Sequence, residues 1–268
     1  MSLRPRFRRV AALERRFVNR ESVLAAFAEE LSRIADQPRV LNVVGVGGIG
    51  KSRLVRELRN RAAASQGCRT AVLDLQVPAM RQQENALAVL RTEFGRQQAS
   101  FDRFDIAYAV LWQRLHPNLR LTGRDLPFLA ESEVLTTIFD DASGLPVFGT
   151  AIGLLKLADR ATAWMRRKRA VHADEVLQML DELENTEVLD AVTYLFAGDL
   201  RSASEQRPFV VFVDAYEARV PTPVRTGRAS AADTWLRDLI GQLGRGLVVV
   251  ASREPLNWRR RHILATGP

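Results

Sequence analysis

Short, mostly apolar runs alternate with amphipathic stretches near both ends of the chain. Such runs are typical of parallel strands that helices cover on both faces, whereas half-exposed strands alternate apolar and polar residues. Four runs have this character: Val40 to Val44, Thr70 to Leu75, Pro208 to Val213 and Gly246 to Ala251. The amphipathic stretch 53–64 joins the first two as in a βαβ unit. The pattern therefore predicts an α/β domain built on a mainly parallel sheet.

Residues 79–205 lack a clear strand pattern. Apolar residues recur there at helical spacing, which predicts a series of helices. The predicted helices span 84–97, 104–115, 131–139, 151–167, 173–183 and 188–197. Because the stretch lies between two strands of one sheet, we expect a large helical insert at about 79–205. Two more helices are predicted, at 23–34 before the first strand and at 230–243 before the fourth.

A glycine-rich turn joins the first strand to the next helix. The run Gly45-Val46-Gly47-Gly48-Ile49-Gly50-Lys51-Ser52 fits the phosphate-binding pattern G-x-x-x-x-G-K-[ST] at every fixed position. Glycines let several backbone N–H groups point at one anion, and the helix beyond presents its positive end to the same phosphates. From the rim of the site, Lys51 can reach the β- and γ-phosphates, and the Ser52 hydroxyl can ligate Mg²⁺. The sequence therefore predicts binding of a nucleoside triphosphate.

The third strand ends in an acidic residue. Four apolar residues followed by Asp214 form the Walker B arrangement, which places a carboxylate for the metal ion beside the phosphates. Many proteins with a Walker B motif carry an acidic residue at the next position, which here is Ala215. Glu217 lies three residues after Asp214, and one short turn would bring it towards the γ-phosphate. It is the candidate catalytic base, with a surface glutamate as the alternative.

The fourth strand ends in polar residues beside the predicted Walker B strand. A buried strand that ends in this way commonly carries a group that senses the γ-phosphate. Ser252 and Arg253 are the candidates, and Arg253 is favoured because a guanidinium binds phosphate strongly. The alternative is an arginine that pairs with Glu254 or with solvent.

These motifs together resemble the nucleotide-binding module of the STAND ATPases, which include the NB-ARC and NACHT switches and many bacterial regulators and defence proteins. The resemblance rests on Phe17 to Glu21, GVGGIGKS, VVFVDAYE and VVVASRE, and it covers about 17–75 and 205–255. It implies that Arg20 lies near the nucleotide and that Arg253 occupies the sensor position. It also implies a P-loop NTPase three-layer sandwich of the additional-strand (AAA+/STAND-like) type. Ala215 departs from the family pattern and favours slow hydrolysis.

Composition bears on disulfides, metal sites, membrane spans and charged partners. The single cysteine excludes an intramolecular disulfide, and the three histidines lack metal-ligand spacing. No apolar run approaches the length of a membrane span, so we expect a cytoplasmic protein. The formal net charge of +8 admits nucleic acid as a partner, although the arginines are spread along the chain.

The predicted organisation is a basic segment at 1–16 followed by a P-loop NTPase domain at 17–268. We expect this chain to be the N-terminal part of a longer protein, ending before the lid and winged-helix domains that follow in the family. The predicted function is an ATP- and ADP-binding switch with Mg²⁺ and slow ATPase activity. Its expected partners are further copies, or effector and sensor domains of a longer chain. The alternative is a motor or remodelling ATPase stimulated by nucleic acid.

Overall fold

The protein folds around a four-stranded sheet in which every strand is parallel to its neighbours. The computed structural model describes residues 20–34, 37–65, 67–119, 121, 125–136, 171, 174–219 and 234–256. The strands are β1 (Arg39–Val44), β2 (Arg69–Asp74), β3 (Phe209–Asp214) and β4 (Gly246–Ser252). Their order is β1-β4-β3-β2. The predicted α/β P-loop NTPase fold is therefore confirmed.

The additional strand is β4, which lies between the phosphate-loop strand β1 and β3. Register places the carboxyl ends of the strands at one edge, since Val44 pairs with Ser252 and Asp74 with Asp214. Strand β4 thus lies beside β3, the predicted Walker B strand, as expected. No fifth strand occurs within the described ranges.

Helices cover both faces of the sheet and complete three layers. Those that the structure describes are α1 (Glu21–Ser32), α2 (Lys51–Ala64), α3 (Gln83–Gly95), α4 (Asp102–Leu115), α5 (Glu175–Met179), α6 (Asn185–Gln206) and α7 (Thr234–Gln242). Short 3₁₀ turns occur at Pro78–Arg81, Leu129–Glu131, Leu180–Glu182 and Tyr216–Arg219. Helix α6 is longer than predicted at both ends. A capping box between Glu184 and Glu187 accounts for its start, three residues earlier than the periodicity indicates. The helix then continues almost to Pro208.

The sheet separates two hydrophobic clusters. The smaller cluster joins α1 and α2 to one face through Phe27, Leu54 and Leu58 packed against β3 and β4. The larger cluster joins α3, α4, α6 and α7 to the other face. Successive side chains of β3 point to opposite faces of the sheet and so belong to different clusters. Val211 and Val213 face the larger cluster, and Val210 and Phe212 face the smaller one.

A separate helical insert at 79–205 is not confirmed. In the described part of that region, α3, α4 and α6 share one hydrophobic cluster with β2 and β3, so they form a layer of the sandwich. Within that layer, Phe101 of the α3–α4 connection stacks on Phe196 of α6, with ring centroids 5.1 Å apart. The predicted helix at 151–167, the basic segment at 1–16 and the residues after 256 lie outside the described residues.

A buried arginine at the amino end of the sheet binds the C-terminal ends of two helices. Arg69 opens β2 and is 5% exposed. Its guanidinium donates to the carbonyl oxygens of Gln97 at 3.1 Å, Ala203 at 2.8 Å and Arg207 at 3.0 Å. These carbonyls belong to the C-terminal ends of α3 and α6, where a cation is favoured by the helix dipoles.

A buried aspartate connects α6 to the start of α4. The two carboxylate oxygens of Asp199 accept hydrogen bonds from Arg103 Nε at 2.7 Å and from the Phe104 N–H at 3.0 Å. Burial raises the pKa of Asp199 to about 7, against the opposing effects of Arg103 and the Phe104 N–H. The carboxylate therefore satisfies an N–H in the first turn of α4, which no side chain at the N-cap position does.

Candidate nucleotide-binding site

The phosphate loop occupies the turn between β1 and α2. Gly48 and Gly50 have φ of +77° and +90°, a region that side chains with a Cβ rarely adopt. The Gly45 N–H donates to the Ser252 carbonyl at 3.1 Å, which anchors the loop to the end of β4. Helix α2 begins at Lys51 directly after the turn, so its N-terminus faces the loop.

The loop backbone forms an open cradle of donors. Within the described part of the chain, no N–H of residues 46–50 donates to a backbone carbonyl. These unused donors and the N-terminus of α2 suit an anion of the size of a phosphate group. The observed cradle therefore fits the phosphates of a nucleotide.

Lys51 does not lie on the rim as expected. It is 8% exposed, and its Nζ donates to the carbonyl oxygens of Gly45 at 2.7 Å and Val46 at 3.2 Å. The expectation was wrong because the lysine side chain folds back under the loop and binds carbonyls that the curled backbone turns inward. Ser52 follows it on an exposed position of α2.

Asp214 lies at the carboxyl end of β3, on the same edge of the sheet as the loop. It is buried, and its Oδ1 accepts from the N–H of Ala215 at 2.8 Å. Asp74, for which the sequence pattern predicted no role, pairs with Asp214 across β2 and β3. An aspartate at the end of two neighbouring apolar runs was the signal that could have revealed this second carboxylate.

Glu217 is brought back towards the loop by a sharp turn. Ala215 has φ of +55°, a left-handed conformation that is uncommon for a residue with a Cβ, and the 3₁₀ turn Tyr216–Arg219 follows. Oε1 of Glu217 accepts from Nε of Arg253 at 2.9 Å. Its Oε2 is buried and has no hydrogen-bond partner among the described residues.

Arg253 lies beside the phosphate loop. A Cβ built on Gly47 would stand 3.6 Å from Cζ of Arg253, so guanidinium and loop are in close contact. The other sensor candidate, Ser252, is buried, and its hydroxyl oxygen lies 2.6 Å from the Glu254 carbonyl oxygen. Arg253 is thus the candidate that faces the loop, and its ion-pair partner is Glu217 instead of Glu254.

Arg20 contacts the loop from the other side. It occupies the N-cap position of α1, and its guanidinium donates to the carbonyl of Ile49. A Cβ on Gly50 would lie 3.5 Å from Nη2 of Arg20. The structure therefore brings Arg20, Lys51, Glu217 and Arg253 together around the loop. Asp214 lies at the end of β3, on the same edge of the sheet.

Comparison with known families shows which family the chain belongs to. The profile described as the AAA ATPase domain matches residues 16–256. The chain belongs to this family. No curated protein and no solved structure matches the chain. Membership in the AAA ATPase domain family accords with the strand order and implies nucleotide binding, typically with Mg²⁺.

The described part of this AAA ATPase domain shows neither a cluster of metal ligands nor a membrane-spanning helix. Its residues include no group of three or more His, Cys, Asp or Glu side chains arranged to hold a metal ion. Among the described helices, none combines the length and the apolar character needed to cross a membrane.

Proposed function

We propose that this AAA ATPase domain is a STAND-type molecular switch with slow ATPase activity, in bacterial signalling, regulation or defence. It cycles between an ADP-bound state and an ATP-bound state that assembles with other copies. The observation that carries the proposal is the ion pair between Glu217 and Arg253 beside Gly47. This pair joins the candidate base to the candidate sensor at the edge of the phosphate loop.

Each group around the loop has a role in this proposal. The N–H groups of 46–50 hold phosphate oxygens, and Lys51 exchanges its two loop carbonyls for the β- and γ-phosphates. Arg20 holds the loop backbone at Ile49. Ser52 and Asp214 are the residues that would hold Mg²⁺, which neutralises charge that develops on the phosphates.

The γ-phosphate supplies the difference between the two states. Only ATP offers a charged group that competes with Glu217 for the Arg253 guanidinium. When Arg253 turns to that phosphate, Glu217 loses its partner and can accept a hydrogen bond from the attacking water. A ligand shifts a conformational equilibrium only through such differential contacts, and ADP cannot make this one.

Slow hydrolysis follows from the same arrangement. The position directly after Asp214 is Ala215, so the candidate base reaches the site through a left-handed turn and begins bound to Arg253. Both features favour a long-lived ATP state over rapid turnover, which suits a switch better than a motor.

Hydrogen exchange would test this proposal. We expect the non-hydrolysable analogue AMP-PNP and ADP to protect the phosphate loop equally, but to differ at residues 214–219 and 251–254. Arg253→Gln should remove that difference, while Arg56→Gln, a change at an exposed position of α2, should preserve it. Identical exchange in both nucleotides would contradict a switch.

Turnover measurements address the alternative of a nucleic-acid-stimulated motor. The net charge of +8 is the observation that favours this alternative. A switch should hydrolyse ATP more slowly than about 1 s⁻¹, below the typical enzyme median of about 10 s⁻¹, with no response to added DNA or RNA. Salt-sensitive stimulation by either nucleic acid would favour the motor.

A further inference from the structure

A cavity of about 500 Å³ lies on the larger-cluster side of the sheet, away from the phosphate loop. Its walls are the first half of α3, the second half of α4 and the 3₁₀ turn Pro78–Arg81. None of residues 45–52, 214–217 or 253 lines it. Its volume falls in the range of sites that bind small organic molecules.

Aromatic and thioether groups form the body of the cavity. Trp112, Tyr108 and Met80 line it together. The Trp112 ring is held by His116, whose ring stacks on it with centroids 4.5 Å apart. Nδ1 of the same histidine lies 2.9 Å from the Trp112 carbonyl oxygen. The aromatic wall is therefore held in place from the α4 side.

The charge of the cavity opposes that of the chain. Glu84 and Asp125 line it, whereas no lysine or arginine occurs among its described lining residues, in a protein with 39 of them. Burial, followed by the nearby Glu84 carboxylate, raises the pKa of Tyr108 to about 12. The phenol is neutral at physiological pH, so Tyr108 contributes its aromatic ring to the cavity and no charge.

We propose that this cavity binds an organic cation with an apolar body, such as an arylamidinium or an arylalkylamine. The aromatic rings of Trp112 and Tyr108 line the cavity and attract a cation, and Glu84 supplies a carboxylate to the same cavity. The low-dielectric wall formed by α3 and α4 strengthens both attractions. This inference does not rest on the proposed switch, because the cavity and the phosphate loop share no residue.

Benzamidine and benzamide form a matched pair of probes. They have nearly the same shape, but benzamidine carries a positive charge at neutral pH and benzamide is neutral. We expect benzamidine to bind with a dissociation constant of about 1 mM, in keeping with its few non-hydrogen atoms, and about fivefold more tightly than benzamide. Isothermal titration calorimetry on the whole chain measures both.

Two variants locate the site. Glu84→Gln should weaken benzamidine binding about three- to fivefold and leave benzamide binding unchanged, because it removes a partly exposed charge. Glu205→Gln removes the same charge from an exposed position of α6 and should change neither. Trp112→Leu should weaken both probes; if that variant does not fold, the comparison at Glu84 still decides.

Three results would overturn the proposal. They are equal affinity for benzamidine and benzamide, benzamidine binding that is unaffected by Glu84→Gln, and an absence of saturable benzamidine binding up to about 10 mM.

Discussion

Lys51 carries two sets of interactions at different times. In the structure its ammonium holds the loop through the carbonyls of Gly45 and Val46, and in the nucleotide complex the phosphates would replace them. We expect Lys51→Ala to weaken ATP binding about 10- to 100-fold, the effect of losing charge-assisted hydrogen bonds. Calorimetric titration measures this, with Arg56→Ala as an exposed control on the same helix. Wild-type affinity in Lys51→Ala would refute the site assignment.

Glu217 and Asp214 should separate hydrolysis from binding. Glu217→Gln keeps the shape of the side chain but removes the basic carboxylate, so ATP should still bind while turnover falls at least about 100-fold. Asp214→Asn should instead weaken the Mg²⁺-dependent part of ATP binding. Glu254→Gln is the matched control for Glu217, because it removes an exposed carboxylate adjacent to Arg253. Equal turnover in wild type and Glu217→Gln would exclude Glu217 as the base.

The ends of α3 and α6 depend on one side chain from β2. Arg69→Met keeps much of the volume of the arginine but leaves the carbonyls of Gln97, Ala203 and Arg207 without their buried donor. We expect the free energy of unfolding to fall by about 2–4 kcal/mol, as measured by urea denaturation. Arg33→Met removes an exposed ion pair with Glu29 on α1, and should change stability by less than about 1 kcal/mol. Similar values for the two variants would contradict the role of Arg69.

The contact between α4 and α6 should give stability a specific dependence on pH. An unfolded aspartate ionises near pH 4, whereas burial raises the pKa of Asp199 to about 7. Between these values the folded protein binds more protons than the unfolded chain, so this group makes stability fall as pH rises. Asp199→Asn has no such proton. Its stability relative to wild type should therefore rise by about 2 kcal/mol between pH 5 and pH 7.

Urea denaturation at both pH values measures this difference. Asp174→Asn changes another carboxylate that pairs with Arg103, at 3.1 Å, and should not reproduce the change in slope. Parallel pH profiles for wild type and Asp199→Asn would show that Asp199 has no raised pKa.

Elements that depend on local pattern could be predicted, and those that depend on distant contacts could not. Strands β3 and β4 stand out because every residue in them is buried, which leaves continuous apolar runs. Strands β1 and β2 are less fully buried, and Asn42 and Asp74 interrupt their runs, but both remain mostly apolar. The start of α6 depends on the capping box between Glu184 and Glu187, which the apolar spacing does not reveal. That α3, α4 and α6 form a layer of the sandwich could not be predicted, because sequence order does not reveal which helices share a cluster with the sheet.

The candidate site also has parts that a local pattern predicts and parts that depend on distant contacts. Gly45 to Ser52 could be found from spacing alone, since that backbone conformation requires glycine at fixed positions. The ion pair between Glu217 and Arg253 spans 36 residues and depends on the left-handed turn at Ala215, which no local pattern predicts. The burial of Lys51 was missed because it depends on the direction of loop carbonyls.

The whole domain should be stabilised by the nucleotide that it binds. A ligand at 100 times its dissociation constant adds about 2.7 kcal/mol to the free energy of unfolding. For a domain of this size that corresponds to an increase in melting temperature of about 5–10 °C. Differential scanning fluorimetry with ATP and Mg²⁺ measures the shift, and Lys51→Ala should reduce it at the same ATP concentration. An unshifted melting temperature at saturating ATP would contradict nucleotide binding.

The unequal clusters on the two faces of the sheet predict that the molecule opens in two stages. Helices α1 and α2, together with β1, are held by the smaller cluster, while α4 and α6 are packed within the larger one. Local opening needs less free energy where fewer apolar contacts are lost. The amides of α1 and α2 should therefore exchange with solvent through partial unfolding, and those of α4 and α6 only through global unfolding. The phosphate loop joins β1 to α2, within the part that should open first. A bound nucleotide would therefore stabilise the less stable part of the protein.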